Sequence, residues 1–86
     1  MALLRTIVEG RRFTRELARI KTNPHAADEL IDAVKWTLAR DPRAGVQVAP
    51  RNPVWFIAID EAEDNRIGVY YAFSDDEIFL ISIRQE

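Results

Sequence analysis

The sequence predicts a single α+β domain over residues 1–86, in which a two-helix hairpin packs on a three- to four-stranded, mainly antiparallel sheet. Two observations predict this class. The first half of the chain contains two segments whose apolar side chains recur at helical spacing, and the second half contains three apolar segments joined by short acidic connections. A hydrophobic fraction of 48% in 86 residues is enough for the core of one small domain.

The first predicted elements are a short strand and a helix. Residues 3–8, LLRTIV, predict the strand, and Gly10 ends it. In the segment RRFTRELARIKT, the apolar residues Phe13, Leu17 and Ile20 lie four and three residues apart. This spacing predicts a helix with one apolar face, and its arginines occupy the other side.

A second helix is predicted between two proline-containing pairs. Asn23 and Pro24 predict its start, because Asn caps helices and Pro at the first helical position lacks only a donor that the helix does not use. Asp41 and Pro42 predict its end. Trp36 lies off the apolar stripe of this helix, so we expect its ring to face away from the core.

The second half predicts a loop followed by three strands. The loop covers residues 39–53, ARDPRAGVQVAPRNP, which are rich in Pro and Gly. The strands cover residues 54–60, 66–73 and 77–84. Because the connections between them are short and polar, they predict an antiparallel meander.

Strand alternation assigns the side chains of the last two strands to two faces. We expect the helices to cover Ile67, Val69, Tyr71 and Phe73 of one strand and Phe79, Ile81 and Ile83 of the next. The opposite face then carries Arg66, Gly68, Tyr70 and Ala72 beside Ile78, Leu80, Ser82 and Arg84.

Composition excludes several kinds of site. The chain has no cysteine, which excludes a disulfide scaffold, a zinc-thiolate site and a cysteine nucleophile, and one histidine, His25, which excludes a multi-histidine metal site. We expect no metal and no cofactor. The beginning, MALLRTIVEGRR, lacks the order of a signal peptide, and no stretch has the roughly 20 apolar residues of a membrane helix. The expected location is therefore cytoplasmic.

Charge is distributed unevenly along the chain. The net charge is −2, but residues 1–22 carry +4 and residues 46–86 carry −5. A basic first helix beside an acidic sheet predicts that a charged partner approaches from one side. The alternative is an ordinary solvated helix face.

The predicted face opposite the helices carries the main candidate site. Arg66, Tyr70 and Arg84 share it, and Gly68 leaves a gap between them that a planar, anionic group would fit. Arginine binds phosphate through two nitrogens and keeps its charge, while tyrosine stacks on a base or exchanges a proton. The alternative is that both arginines are merely solvated at strand ends.

The other polar and aromatic residues of the chain are weaker candidates for a functional site. The acidic cluster Asp60, Glu61, Glu63 and Asp64 lacks the alternating ligands and central Gly of a calcium loop, and is interpreted as a solvated turn. His25 is interpreted as a surface residue. Phe56 is predicted on the open face, where an exposed ring would indicate a partner surface.

Several segments resemble one protein family. The order of strand, FTRELARI helix, ADELIDAVKWTLARDPRAG helix and three strands is similar to the RelE/ParE superfamily of toxins from toxin–antitoxin pairs. The more specific segments are LARDPRAGVQV, VWFIAI and RIGVYYAFSDDEIFLISI. The resemblance implies a small toxin that a cognate antitoxin silences by wrapping its helices and sheet. RelE-like members enter the ribosome and cut mRNA without a metal, by attack of the ribose 2′-hydroxyl on the adjacent phosphate, whereas ParE-like members inhibit DNA gyrase.

The resemblance also implies site residues. It assigns Arg66 to a phosphate clamp, Tyr70 to stacking or proton transfer, and Arg84 to the place of a basic cluster near the end of the family's fold. Lysines that the family's ribonucleases carry on the VWFIAI strand are replaced here by Phe56 and Ala58. Further RNA contacts are expected from the basic residues Arg11, Arg15, Arg43 and Arg51.

Three functions therefore remain open. The first is a ribosome-dependent mRNA endonuclease that inhibits translation. The second is a non-cleaving inhibitor of DNA gyrase, and the third is an inactive relic that binds only its antitoxin. The missing lysines favour the second and third, whereas Arg66, Tyr70 and Arg84 favour the first.

Overall fold

The computed structural model of the chain describes residues 5–61 and 65–86. Its elements, in chain order, are β1 (Thr6–Glu9), α1 (Arg11–Ile20), α2 (Pro24–Arg40), β2 (Val46–Gln47), β3 (Trp55–Asp60), β4 (Arg66–Phe73) and β5 (Glu77–Gln85). The α+β class is confirmed. The predicted first strand was to begin at Leu3, but Leu3 and Leu4 lie outside the described residues, as do Glu63 and Asp64 of the acidic cluster.

The sheet differs from the prediction in its strand number. Its order is β1-β5-β4-β3-β2, and it is mixed, because β1 runs parallel to β5 while the other three pairs are antiparallel. The unexpected strand is β2, in which Val46 pairs with Phe56 and Gln47 with Trp55. Two paired residues are too few to produce a recognisable alternation, so the sequence pattern indicated only a loop.

Both helices begin and end near the predicted residues. Asn23 Oδ1 accepts a hydrogen bond from the His25 N–H at 2.9 Å, with Pro24 in the first turn, as a helix N-cap requires. Phe13 and Leu17 of α1 are buried. The Lys21 ammonium lies 2.9 Å from Glu61 Oε1 and joins the end of α1 to the end of β3.

The core lies between the helices and one face of the sheet. Its sheet side is formed by Ile67, Val69, Tyr71, Ile78, Leu80 and Ile83, and its helix side by Phe13, Leu17, Leu30, Ile31, Val34 and Leu38. Trp36 points out of it and is 65% exposed, as its position on α2 predicts.

The predicted faces of β5 are wrong over its first half. Ile78 and Leu80 are buried, whereas Phe79 and Ile81 are exposed. The cause is a bulge: Tyr70 pairs with Ser82 but Tyr71 pairs with Leu80, so Ile81 has no opposite residue. One extra residue reverses the alternation of every residue before it, so the predicted sides are correct for Ser82, Ile83 and Arg84, which follow the bulge.

Candidate functional site

The outer face of the sheet meets α1 in a cleft of about 390 Å³. We call it the Tyr70–Arg84 cleft. It is lined by Arg12, Glu16, Val54, Tyr70, Ile81, Ser82 and Arg84. Two of the three predicted catalytic residues therefore line one concavity, together with two side chains of α1 that the sequence analysis did not assign.

Strand pairing positions Tyr70 and Arg84. Tyr70 lies opposite Ser82, and Arg84, two residues after Ser82, lies opposite Gly68, two residues before Tyr70. Because Gly68 and Tyr70 are two residues apart, the side chain of Arg84 lies diagonally across from the Tyr70 ring. The Arg84 guanidinium carbon is 5.3 Å from the centre of that ring, which is within the range of a cation–π contact.

Helix α1 supplies a carboxylate and a further arginine. Ser82 Oγ donates a hydrogen bond to Glu16 Oε1 at 2.7 Å, and the Ile83 N–H donates to the same oxygen at 3.3 Å. Arg12 Nε lies 3.5 Å from Glu16 Oε2. The Ser82 hydrogen bond first, then the Ile83 N–H and Arg12, lower the pKa of Glu16 in spite of partial burial. Glu16 is therefore an ionised carboxylate in the wall of the cleft.

Sequence reasoning missed Glu16 and Arg12 because their partners are distant in the chain. Glu16 and Ser82 are 66 positions apart. The available signal was local: Arg12 and Glu16 lie four residues apart beside the apolar stripe of α1, where a charged pair borders the packed face.

Arg66 shares the outer face but lies outside this cleft. Its Nε donates to Asp60 Oδ1 at 2.8 Å, across the register pair that joins β3 and β4. The hydrogen bond and charge of Asp60 raise the pKa of Arg66. Arg66, Asp60, Glu61 and Asn65 line a separate cleft of about 520 Å³. The residue expected to clamp phosphate thus has a carboxylate partner of its own.

The gap predicted at Gly68 is filled by the protein. A Cβ atom on Gly68 would lie 2.6 Å from the Phe56 ring and 3.0 Å from Glu86 Oε1. Phe56 also packs on Tyr70, with ring centres 5.0 Å apart. The expectation of a vacant gap for a planar, anionic group was wrong, because the Phe56 ring and the Glu86 carboxylate already occupy this space. The second carboxylate oxygen of Glu86, Oε2, lies 3.9 Å from Arg84 Nε.

The loop arginines Arg43 and Arg51 are not among the residues that line the Tyr70–Arg84 cleft. Arg43 sits 5.8 Å from the Phe73 ring, near the end of β4 opposite to Arg66. Phe73 packs against the core, whereas Tyr70 lines the cleft on the outer face. Arg51 lies in a turn that the Asn52 N–H closes by donating to Ala49 O. Its φ of 65° after Pro50 is the conformation at the third position of a type II turn.

The basic face of α1 borders the cleft. Arg15 and Arg19 line a surface groove of about 370 Å³ together with Arg12 and Glu16, which also belong to the Tyr70–Arg84 cleft. Arg11 faces a different depression, beside Glu9. Of these arginines, Arg12 is the one that lines the Tyr70–Arg84 cleft, and Arg15 and Arg19 extend the positive surface along α1 beside it.

Fold and site together define a small α+β domain with an aromatic, arginine-bearing cleft. Within residues 5–61 and 65–86, no three His, Cys, Asp or Glu side chains are grouped closely enough to hold a metal ion. In the same ranges, no helix is both long and apolar enough to cross a membrane. Comparison with protein-family models, curated proteins and solved structures finds no match to this chain.

Proposed function

We propose that this chain is the toxin of a type II toxin–antitoxin pair, and that it is a RelE-like, ribosome-dependent mRNA endonuclease in the cytoplasm. The observation that carries the proposal is the Tyr70–Arg84 cleft. It combines two guanidinium groups, an aromatic hydroxyl and an ionised carboxylate within one concavity. These are the kinds of group that RNA cleavage by the ribose 2′-hydroxyl requires.

Each group has a role in the proposed reaction. Arg84 and Arg12 bind the scissile phosphate and stabilise the negative charge that builds on its non-bridging oxygens. Glu16 accepts the proton of the 2′-hydroxyl. The 2′-oxygen then bonds to phosphorus as the bond to the 5′-oxygen breaks, and the Tyr70 hydroxyl donates a proton to that leaving oxygen. The products are a 2′,3′-cyclic phosphate and a free 5′-hydroxyl.

Arg66 takes a secondary role in this proposal. It lines a separate cleft on the same face of the sheet, so we assign to it a contact with a neighbouring phosphate instead of the reacting one. Arg84 is therefore the first residue to test, although the family resemblance puts Arg66 first.

The test is primer extension on mRNA after induction of the chain in a bacterial host. The wild type is expected to produce cuts at in-frame codons, and Arg84→Ala and Glu16→Gln to remove them. Arg43→Ala is the matched control, because it removes one arginine from the far end of β4. Cuts that persist in Arg84→Ala would refute the cleft as the active site.

A second function is supported by a different observation. The outer face also exposes apolar side chains, with Val46 70%, Phe79 40% and Ile81 36% exposed. Such a face suits binding to another protein. Both a gyrase inhibitor and an inactive relic that binds only its antitoxin require a surface of this kind. Growth arrest without cuts, together with lost gyrase supercoiling in vitro, would favour the inhibitor. Absence of both effects would favour the relic.

A further inference from the structure

Strand β1 forms one edge of the sheet. Among the residues that the structure describes, β1 is the last strand on its side and pairs with β5 alone. The N–H groups of Thr6 and Gly10 donate inward, to Asp76 O and Leu80 O. Because backbone groups alternate along a strand, those of Ile7 and Glu9 point outward, where they form a template for a further strand.

An apolar groove runs beside this edge. It measures about 490 Å³ and lies between β1 and α2, where Ile7, Trp36 and Ala39 contribute apolar surface. Trp36 is largely exposed, and the Arg40 guanidinium carbon lies 3.9 Å from its ring centre. An exposed tryptophan beside an open strand edge is typical of a contact surface.

The charges along β1 are opposite on the two sides of Ile7. Arg5 lies just before β1, two residues before Ile7, and Glu9 follows Ile7 by two residues, so the three belong to one side of the strand. The Arg5 Nε donates to Ser74 O of the same chain at 2.7 Å, and its terminal nitrogens are the groups that would meet a second copy. A two-fold axis at Ile7 would pair it with Ile7 of a second copy. It would also place Arg5 of each copy directly opposite Glu9 of the other copy.

Helix α2 has the same symmetry about Trp36. Asp32 lies four residues before Trp36 and Arg40 four residues after it, so the three share one helix face. The same two-fold axis, passing between the two Trp36 rings, brings Asp32 towards Arg40 of the second copy. The charge pairs Arg5–Glu9 and Asp32–Arg40 are thus self-complementary, as a two-fold interface requires, while Lys35 adds one positive charge to each copy's side of the groove.

We infer that two copies of this chain form a dimer through the β1 edge and the Trp36 groove. In this dimer, the two Ile7 residues exchange both backbone hydrogen bonds, and the two sheets become one sheet of ten strands. The dimer goes beyond the proposed function and does not depend on it, because the Tyr70–Arg84 cleft lies at another part of the sheet.

The test is the mass of the full chain in solution, by sedimentation equilibrium over a range of micromolar concentrations. We expect twice the 9.9 kDa of one chain at the upper end of the range. Arg5→Glu or Glu9→Arg alone sets like charges against each other at two symmetric positions, and is expected to weaken dimerisation by roughly tenfold. The double variant R5E/E9R is expected to restore it, and Arg19→Glu on α1 is the matched control.

Three results would overturn the inference. They are a monomer at every concentration, a dimer that none of the charge reversals weakens, and single reversals that the double variant does not rescue. Circular dichroism shows whether each variant folds. If a β1 reversal unfolds the chain, Asp32→Arg, Arg40→Asp and their double variant apply the same test from α2, with the same expected loss and rescue.

Discussion

The buried hydroxyl of Tyr71 attaches a loop to the core. It donates a hydrogen bond to Pro42 O at 2.6 Å and accepts one from the Gly45 N–H at 3.2 Å. Tyr71→Phe keeps the ring but leaves both backbone groups without this partner. We expect it to lower the free energy of unfolding by about 1–3 kcal/mol, measured by urea denaturation at pH 7.

Tyr71 also predicts a loss of stability in alkali. Burial raises its pKa above the ordinary value of 10.0, so the unfolded chain releases this proton first. The contribution of the neutral Tyr71 hydroxyl to the free energy of unfolding is complete below pH 10 and is lost as pH rises through the folded-state pKa. Urea midpoints between pH 9 and 11 should fall less steeply in Tyr71→Phe than in the wild type. Equal slopes would contradict this prediction.

Glu16 predicts the opposite pH dependence. Because the Ser82 hydrogen bond lowers its pKa in the folded chain, its contribution is complete above the ordinary value of 4.5 and is lost as pH falls below it. Glu16→Gln removes the charge and should cost about 1 kcal/mol at pH 7, with the loss shrinking towards pH 3. Urea denaturation at both pH values measures this. A loss that is equal at pH 3 would show that the charge is not responsible.

At the scale of elements, the Phe56 ring of β3 packs over Gly68 of β4 on the outer face of the sheet. A methyl group at position 68 would meet the Phe56 ring at 2.6 Å, so Gly68→Ala should displace the ring and cost about 1–3 kcal/mol. In the Phe56→Ala background the ring is absent, so Gly68→Ala should lower the free energy of unfolding by about 1 kcal/mol less than it does in the wild type. A double-mutant cycle by urea denaturation measures this difference, and additive effects would contradict the contact.

Strands β4 and β5 differ in how well the sequence predicts which side chains face the core. The alternation in β4 contrasts Arg66 and Gly68 with Ile67 and Val69, and its faces were predicted correctly. In β5 both sets are apolar at its start, Ile78 and Leu80 against Phe79 and Ile81, so hydrophobicity does not distinguish the faces. The bulge that decides between them depends on pairing with β4, which is not a local property.

The candidate site was predictable only in part, for the same reason. Tyr70 and Arg84 could be assigned to one face from strand alternation alone. The partners Asp60 for Arg66 and Glu16 for Ser82 depend on strand register and on the path of α1. Sequence patterns therefore identified side chains with useful chemistry, but not which of them already have partners within the fold.

At the scale of the whole molecule, the proposed RNA contacts are few. If Arg12 and Arg84 together neutralise the scissile phosphate and Arg66 neutralises a neighbouring one, two phosphates are neutralised. The affinity for a single-stranded oligoribonucleotide should then fall with salt at a log–log slope of about −1.4. Arg66→Ala should reduce the slope to about −0.7, and Arg43→Ala should leave it unchanged. Fluorescence anisotropy at several KCl concentrations measures both. A slope that Arg66→Ala does not alter would contradict a phosphate contact there.

The parallel pairing of β1 with β5 has a consequence for how the chain folds during its synthesis on the ribosome. Thr6 lies beside Glu77 in the sheet, so β1 has no strand to join until residues 77–80 have left the ribosome. Until then Phe13 and Leu17 lack the β5 side of their core. Contacts between such distant residues close late and slow the search for the native topology. This domain is therefore expected to fold as one event once residues 77–80 have emerged from the ribosome, with its nascent helices accessible to chaperones until then.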